Sequence, residues 1–484
     1  MKQIFFIDLF AGAGGVSEGI ERASVLGKKA AKVIAAVNHD PLAISSHRVN
    51  HKNVWHFTED IRTLELSPLA AMVRSYRKRY PNCVIILWSS LECTNISNAK
   101  GGLSRDADSR TLCEHMYRYI EVLQPDCLWV ENVREFRSNC PVRIKSIVST
   151  ETYCSLEYDN KTNRPIYIPD KSKTGSTFVE WVEKIKSYGY GYDDRDLNAA
   201  DYSAHTSRIR YFGQFNKSHV PTVWPSPTHS KRGRNGLKPW RPVREVLDFS
   251  LPAKSIFGRR KPLVKKTMQR IYSGLLKYVA GGEENYRKAK ESLIKNNDAN
   301  SPLYAEYFIE RQFTTSGWHQ SLEEPAGTIL TNPKMSLVKI CGPQHFLINP
   351  QYGNGGSSID APCFTLIARM DKASPTFVTA IPGGPRLGAD PSDCEYTQKV
   401  KEFMRVYGIE DITMRHLNLP ELLKIQGFPE RYYLAGPQSS QKKFIGNSVP
   451  PVVPQHMIKT FFLEINKSEF NKEKKANETY LEAA

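Results

Sequence analysis

Paired cysteines are missing from this 484-residue chain. Its nine cysteines are scattered and none stands in a CxxC or CxxH pattern, which argues against a disulfide framework and a zinc module. Apolar runs are also short. None reaches membrane-spanning length, and the first, residues 3–9, is too short and wrongly flanked for a signal peptide. We therefore expect reduced thiols in a cytoplasmic protein without a membrane segment.

Acidic residues are comparatively few. Asp and Glu number 50 against 67 Lys and Arg, which gives a formal net charge of +17. Such an excess favours a polyanionic partner such as nucleic acid; the alternative is a soluble protein that is merely basic. Residues 215–260 interleave basic and aromatic side chains, as a nucleic-acid surface does, although a basic linker has a similar composition.

The signature of a phosphate-binding P-loop is absent, since no GK[ST] follows the glycine-rich stretch from Phe10 to Gly15. That stretch lies between a predicted strand and a predicted helix. Strand, glycine-rich turn and helix form the ligand-binding corner of a Rossmann-like unit, because missing Cβ atoms let the backbone approach a nucleotide. The next predicted strand, residues 32–37, ends just before Asn38 and Asp40, and such folds place a polar side chain there to bind ribose.

Two further strand ends carry candidate reactive groups. The apolar run 83–87 predicts a buried strand and places Cys93 in the loop at its carboxyl end, where open α/β sheets bind ligands. A lone loop cysteine is more often a bystander than a nucleophile. Another predicted strand brings Glu131 and Asn132 to the same edge, as catalytic groups or as structural caps. The polar loop 100–110, beside Cys93, is able to close over a substrate.

Three other charged residues are ambiguous. Asp60 precedes a helical stretch and is either an acceptor for an adenine amino group or a plain N-cap. Arg208 and Arg210 stand at alternate positions, hence on one face if the segment is a strand. Two guanidinium groups on one face suit a phosphate or an anionic intermediate; a solvated edge strand is the alternative.

The second part of the chain differs in texture. From about residue 255 to 405 it has short β-like runs, many turns and a weak echo between residues 322–330 and 359–367. This pattern predicts a small, mostly β second domain that could form a groove for a duplex. A final helix is predicted to run to about residue 465, and the charged tail after it is predicted to be disordered.

Taken together, these stretches resemble the DNA cytosine-5 methyltransferase family, from Phe5 to about Phe462. The matching motifs stand in the family's order: the S-adenosylmethionine loop at residues 10–15, ENV at 131–133, RxR at 208–210, QGFP at 426–429 and GNSV at 446–449. Each motif alone is weak, but five in order are specific.

The resemblance implies an α/β fold, a Rossmann-like S-adenosylmethionine-dependent methyltransferase domain with a smaller, mostly β target recognition domain. The expected boundaries are 1–250 for the catalytic domain, with an irregular insertion at about 134–175, and 251–410 for target recognition. Residues 411–465 would complete the catalytic domain, and 466–484 would form the disordered tail.

By the same resemblance, Cys93 would attack C6 of a flipped-out cytosine in a specific double-stranded DNA sequence, so that C5 takes the methyl group. Glu131 would bind N3 and the exocyclic amine, and Arg210, with Arg208 as a second candidate, would assist at the base carbonyl or the adjacent phosphate. The resemblance implies no metal site. The contacts to S-adenosyl-L-methionine that it implies are Phe10, Ala11, Gly12, Gly14, Gly15, Asn38, Asp60, Ile61, Asn447 and Val449. A monomer of bacterial or phage origin, with a possible cognate restriction endonuclease, completes the expectation.

Two departures from the family keep alternatives open. The family's Pro-Pro-Cys-Gln is replaced by Leu91-Glu92-Cys93-Thr94, which removes a fixed φ and sets beside the thiol a carboxylate able to raise its pKa. Asn38 stands where the family usually has a ribose-binding glutamate. Three alternatives therefore stay open: methylation of the exocyclic N4 amine of cytosine, an inactive DNA-binding homologue, and an RNA substrate. The large variable region favours DNA over RNA.

Overall fold

The computed structural model describes residues 1–91, 112–144, 167–295, 307–312, 317–321, 335–339, 344–349, 356–370, 374–383, 388 and 390–471. The chain forms two compact units. The first comprises Met1–Arg241, Thr365–Asp371 and Leu422–Ala484, and the second comprises Pro242–Phe364 and Lys372–Glu421. These limits differ from the expected boundaries at residues 250 and 410, and the short return at 365–371 has no counterpart in the sequence-based division.

The strands, in chain order, are β1 Ile4–Leu9, β2 Ser24–Val25, β3 Lys28–Lys29, β4 Lys32–Val37, β5 Trp55–Phe57, β6 Val84–Ser90, β7 Cys127–Asn132, β8 Val142–Ile144, β9 Tyr167–Pro169, β10 Tyr190–Asn198, β11 Ile209–Lys217, β12 His229–Ser230, β13 Lys238–Pro239, β14 Lys254–Ser255, β15 Tyr307–Gln312, β16 Gly317–Ser321, β17 Met335–Lys339, β18 Gln344–Ile348, β19 Ser357–Ser358, β20 Thr376–Pro382 and β21 Ile409–His416. The helices are α1 Gly15–Arg22, α2 Pro41–Asn50, α3 Ser67–Arg79, α4 Met116–Leu123, α5 Ser176–Ser187, α6 Lys265–Tyr278, α7 Glu283–Lys295, α8 Glu395–Tyr407, α9 Leu419–Gln426, α10 Gln438–Asn447 and α11 Val452–Ile465. No helix among the described residues is both long and apolar enough to cross a membrane.

A seven-stranded sheet organises the first unit, in the order β10-β11-β7-β6-β1-β4-β5. Strands β5, β4, β1, β6 and β7 are parallel, whereas β11 and β10 run antiparallel at one side. The apolar runs of β1 and β6 are buried on both faces, as central parallel strands must be. Because parallel strands end at one edge, the segments that follow β1, β4, β6 and β7 meet there. The predicted Rossmann-like α/β fold is confirmed.

Large aromatic side chains fill one face of this sheet. Trp129 on β7 is fully buried, and its ring lies 5.9 Å from those of Phe6 and Trp88 and 5.1 Å from that of Phe461 on α11. Its indole Nε1 donates to Asn216 Oδ1 at 3.0 Å, so the one polar atom of the ring has a partner. The C-terminal helix is therefore an integral part of the first unit's core.

Two segments that were expected to be irregular are partly regular. In the expected insertion, a 3-10 turn at Arg134–Ser138 is followed by a hairpin of β8 with β9, while residues 145–166 lie outside the described residues. The tail was expected to be disordered from residue 466. This is wrong for 466–471, because Asn466 is buried, its side chain accepts a hydrogen bond from Lys2 N at 2.6 Å, and the chain continues as a helix to residue 471. Residues 472–484 lie outside the described part.

The second unit contains a five-stranded antiparallel sheet, in the order β14-β21-β20-β18-β19, and a three-stranded antiparallel sheet, β16-β15-β17. Three helices, α6, α7 and α8, accompany them, so its description as mostly β needs correction. Apolar residues at helical spacing in α6, such as Met268, Ile271 and Leu275, are buried. Basic residues between them hide that periodicity in the sequence.

Candidate active site

A cavity of about 270 Å³ opens in the first unit at the carboxyl edge of its sheet. The segments after β1, β4, β6 and β7 contribute to its wall, together with residues that precede and begin β11 and residues near the end of α10. This is the position at which open α/β sheets bind ligands. The lining residues are Phe10, Ala11, Gly12, Ala13, Gly15, Val16, Asn38, His39, Asp40, Ala43, Ser90, Leu91, Glu131, Asn132, Val133, Arg208, Arg210, Leu366, Ile367, Ala368, Arg369, Lys443, Phe444, Gly446, Asn447, Ser448 and Val449.

The glycine-rich turn forms the cavity wall after β1. Phe10, Gly12 and Gly14 have positive φ angles of 57°, 54° and 104°, and Ala11 N donates to Val37 O on β4 at 3.1 Å. Gly14 is the N-cap of α1 and does not line the cavity, although a contact to the cofactor was expected. Its missing Cβ serves close packing instead, because a Cβ there would lie 2.4 Å from Tyr432 Oη.

The GNSV segment packs directly on this turn. A Cβ on Gly15 would lie 2.6 Å from the carbonyl oxygen of Val449, and a Cβ on Gly446 would lie 2.2 Å from the backbone of Ile367. Gln426 Nε2 donates to Ser448 O at 2.7 Å, which connects the QGFP and GNSV motifs. Asn447 and Val449, which the resemblance implies as cofactor contacts, line the cavity.

The residues that were expected to bind the ribose and adenine of the cofactor divide into two groups. Asn38 and Asp40 line the cavity, and Asn38 Oδ1 accepts from Asp40 N at 2.9 Å. Asp60 and Ile61 are not part of the lining. The Asp60 carboxylate pairs with Arg62, which lowers the pKa of Asp60 to about 2. Ile61 is buried in the core, and its carbonyl accepts from Tyr119 Oη at 2.9 Å.

Glu131 lies at the cavity with both arginines. It is only 6% exposed, and burial raises the pKa of Glu131 while the guanidinium groups of Arg210 and Arg208 oppose the shift. Arg210 Nε is 3.3 Å from Glu131 Oε1, and Arg208 Nη1 donates to Leu366 O at 2.8 Å. Since β11 is an interior strand between β10 and β7, the alternative of a solvated edge strand is wrong.

Cys93 lies outside the described residues, as do Glu92, Thr94 and the loop 100–110. The structure follows the chain as far as Leu91, which lines the cavity together with Ser90. The described chain that precedes the candidate nucleophile therefore ends at the cavity wall.

Sequence reasoning missed one wall of the cavity, which is formed by Leu366 to Arg369. The echo between residues 359–367 and 322–330 indicated only a turn and a strand there. Lys443 was also missed, and its Nζ lies 3.7 Å from Asp40 Oδ2. With Arg208, Arg210, Arg369 and Lys443 at its wall, the cavity suits ligands that carry phosphate or carboxylate groups. In the described parts of the chain, no group of three or more His, Cys, Asp or Glu residues could hold a metal ion.

Comparison with known proteins identifies the family of this chain. The family described as C-5 cytosine-specific DNA methylase matches residues 4–162 and 170–462. The type II methyltransferase M.AgeI of Thalassovita gelatinovora is 21% identical, over 95% of this chain and 99% of its own length. The type II methyltransferase M.NlaIV of Neisseria lactamica is also 21% identical, over 94% of this chain and 97% of its own length.

Among solved structures, the Entamoeba histolytica methyltransferase EhMeth aligns with a TM-score of 0.48 and 13% identity, over 96% of this chain and 99% of that one. The S. pombe Dnmt2 methyltransferase aligns with a TM-score of 0.46 and 13% identity, over 96% and 100%. The family match spans nearly all of the chain, including every motif that forms the described cavity. The chain therefore belongs to the C-5 cytosine-specific DNA methylase family and is a DNA cytosine-5 methyltransferase.

Proposed function

We propose that this methyltransferase binds S-adenosyl-L-methionine in the cavity of its first unit and methylates a flipped-out cytosine within a specific double-stranded DNA sequence. One observation carries the proposal: the glycine-rich turn, the GNSV segment, Glu131 and both arginines of the RxR motif line the same cavity. Gly12 lines the cavity, and the nearest atom to a Cβ there, Phe10 O, would be 3.9 Å away, which leaves room for a ligand to lie against backbone. These residues fit the cofactor.

Cysteine attack would make C5 of the ring reactive. The Cys93 thiolate forms a bond to C6. The electron pair of the C5–C6 double bond shifts towards C4, and negative charge develops on N3. Glu131 supplies a proton to N3 as that charge develops; its burial, which raises its pKa, favours the protonated form that this step needs. Arg210, next to Glu131, stabilises the developing negative charge.

The bound cofactor supplies an electrophilic methyl carbon on a sulfonium. With the cofactor held by the glycine-rich turn and the GNSV segment, C5 would take that methyl group, and the cofactor would leave as a neutral thioether. Loss of the C5 proton to water and cleavage of the S–C6 bond, with its electron pair returning to sulfur, would restore the aromatic ring and the Cys93 thiolate. The N3 proton would return to Glu131. The cytosine must leave the base stack for this chemistry, and the basic residues of the chain would hold the flanking phosphates.

The test uses the full chain and DNA from a methylation-free host. After incubation with S-adenosylmethionine, nuclease digestion and mass spectrometry should find 5-methyldeoxycytidine for the wild type and none for Cys93→Ala. With S-adenosylmethionine present, a DNA duplex with 5-fluorocytosine at the target should form a covalent adduct with the wild type only, because the fluorine on C5 cannot leave as the proton does. N4-methyldeoxycytidine as the product, or full transfer by Cys93→Ala, would overturn covalent catalysis.

We further propose that the enzyme acts as a monomer in a bacterial or phage-infected cytoplasm, alongside a cognate restriction endonuclease. The support for the endonuclease is that the relatives M.AgeI and M.NlaIV are named type II methyltransferases. Sequencing methylated DNA from an expressing host would give the target sequence. That DNA should then resist an endonuclease of the same specificity, and light scattering should give the mass of one chain.

A further inference from the structure

A buried tyrosine lies directly beneath the glycine-rich turn. Tyr432 is 6% exposed, and its hydroxyl is 2.6 Å from the carbonyl oxygen of Ala13 and 3.2 Å from His51 Nε2. A carbonyl only accepts hydrogen bonds, so Tyr432 donates to Ala13. The hydroxyl oxygen must then accept from His51, which fixes the neutral ring with its hydrogen on Nε2. Burial, chiefly, lowers the pKa of His51 to about 4, in keeping with that neutral state.

A second hydrogen-bonded chain supports the helix that follows the turn. Ser17 Oγ on α1 lies 2.7 Å from Asp8 Oδ2 on β1 and 2.9 Å from His47 Nε2 on α2. His47 Nδ1 in turn lies 2.9 Å from His56 Nε2 on β5, and the His47 ring is 4.6 Å from that of His51. The two chains together tie the turn and α1 to β1, α2 and β5.

The position of the tyrosine hydroxyl affects the shape of the turn itself. Ala13 lines the cavity and Gly14 caps α1 with a φ of 104°. Tyr432 Oη occupies the space that a Cβ on Gly14 would need, and it fixes the peptide between Ala13 and Gly14 through the Ala13 carbonyl. Without that bond, the peptide would still be held through Gly14 N, which donates to Ala11 O at 3.0 Å, but its carbonyl would lose the hydroxyl that orients it in the segment that must meet the cofactor.

We propose that Tyr432, held by His51, is a positioning residue that keeps the glycine-rich turn in its cofactor-binding conformation. This inference rests on the proposed function, since it takes the cavity to be the S-adenosylmethionine site. Neither residue lines the cavity, so the action is through the Ala13 carbonyl and not through contact with the cofactor.

The test is Tyr432→Phe, which removes one oxygen and keeps the ring against Phe428, 4.5 Å away. Tyr190→Phe is the matched control, because Tyr190, at 4% exposed, is also buried in the same unit and donates to a carbonyl, Pro125 O, at the same 2.6 Å, but Pro125 does not line the cavity as Ala13 does. Calorimetry with S-adenosylmethionine should show affinity about five- to thirtyfold weaker for Tyr432→Phe and unchanged for Tyr190→Phe. Steady-state kinetics should show the same rise in the cofactor KM, with kcat at saturating cofactor within about twofold of the wild type.

Equal cofactor affinity in Tyr432→Phe, Tyr190→Phe and the wild type would overturn the inference, as would a loss of kcat without a change in KM. A wild type that binds no S-adenosylmethionine would instead refute the proposed function. If Tyr432→Phe fails to fold, His51 provides the second arm: His51→Gln, which keeps an N–H donor, should bind the cofactor more tightly than His51→Phe. Equal affinity in those two variants would also overturn the inference.

Discussion

Replacing Gly15 with alanine tests how closely the glycine-rich turn must approach the GNSV segment. The φ of Gly15 is not in the left-handed region, so the added methyl group brings steric cost without backbone strain. The Cβ would lie 2.6 Å from Val449 O, where ordinary contact begins at 3.4 Å, and 3.1 Å from Ser448 Cβ. The turn and the GNSV segment must therefore separate by about 0.8 Å. Overpacking of this kind typically costs about 1–3 kcal/mol.

Both displaced segments line the cavity, so the variant should lose cofactor affinity as well as stability. We expect urea denaturation to show a free energy of unfolding about 1–3 kcal/mol lower, and calorimetry to show at least about fivefold weaker binding of S-adenosylmethionine. Gly191→Ala is the control, because the nearest atom to its Cβ, Asn216 O, is at an ordinary 3.7 Å. Wild-type affinity and stability in Gly15→Ala would refute the packing argument.

Three further variants test the core, a buried ion pair and a partly buried histidine. Trp129→Ala should lower the free energy of unfolding by about 3–5 kcal/mol in urea denaturation, because it leaves a cavity among three aromatic rings and an unpaired Asn216 Oδ1; a loss below 1 kcal/mol would contradict this. Arg415→Met should cost about 3–5 kcal/mol, since Arg415 Nη2 lies 2.7 Å from the buried Glu421, and the double variant with Glu421→Leu should recover part of the loss. Burial lowers the pKa of His456 from 6.5 to about 4. Because the unfolded state then takes up the proton at a higher pH than the folded state, the contribution of His456 to the free energy of unfolding falls as the pH drops below 6.5. Between pH 7 and pH 5 the free energy of unfolding of His456→Gln should therefore fall by about 2 kcal/mol less than that of the wild type, and equal falls would contradict the pKa shift.

The sheet of the first unit was predictable because its central strands are continuous apolar runs, each followed by a residue able to bind a ligand. That reasoning placed Asn38 and Glu131 at the cavity, and the alternation of Arg208 and Arg210 brought both arginines there. These inferences use neighbours in sequence and the rule that parallel strands end at one edge.

What the sequence did not reveal depends on contacts between distant residues. Asp60 was considered as an adenine acceptor because it precedes a helical stretch, but its pairing with Arg62 was not foreseen. The bond from Tyr432 to Ala13 joins residues 419 positions apart, and no periodicity or motif marks it. The helices of the second unit were missed because basic residues interrupt their apolar faces. Local patterns predict elements, whereas such pairings follow only from the folded chain.

The two arginines of the RxR motif illustrate the difference between a motif and its physical roles. Arg210 Nε is 3.3 Å from Glu131 Oε1, where its charge opposes the rise in the pKa of Glu131 that burial causes. Arg208 also contributes to that opposition, but one of its guanidinium nitrogens is bonded to the carbonyl of Leu366, in the segment that returns to the first unit and forms a cavity wall. Gly446, from the GNSV motif, packs against the neighbouring Ile367 backbone so closely that no side chain fits. Arg208 therefore links the RxR and GNSV motifs through residues 366–367, a segment that carries no motif itself. Arg208 for this reason contributes to the shape of the cavity as well as to its charge.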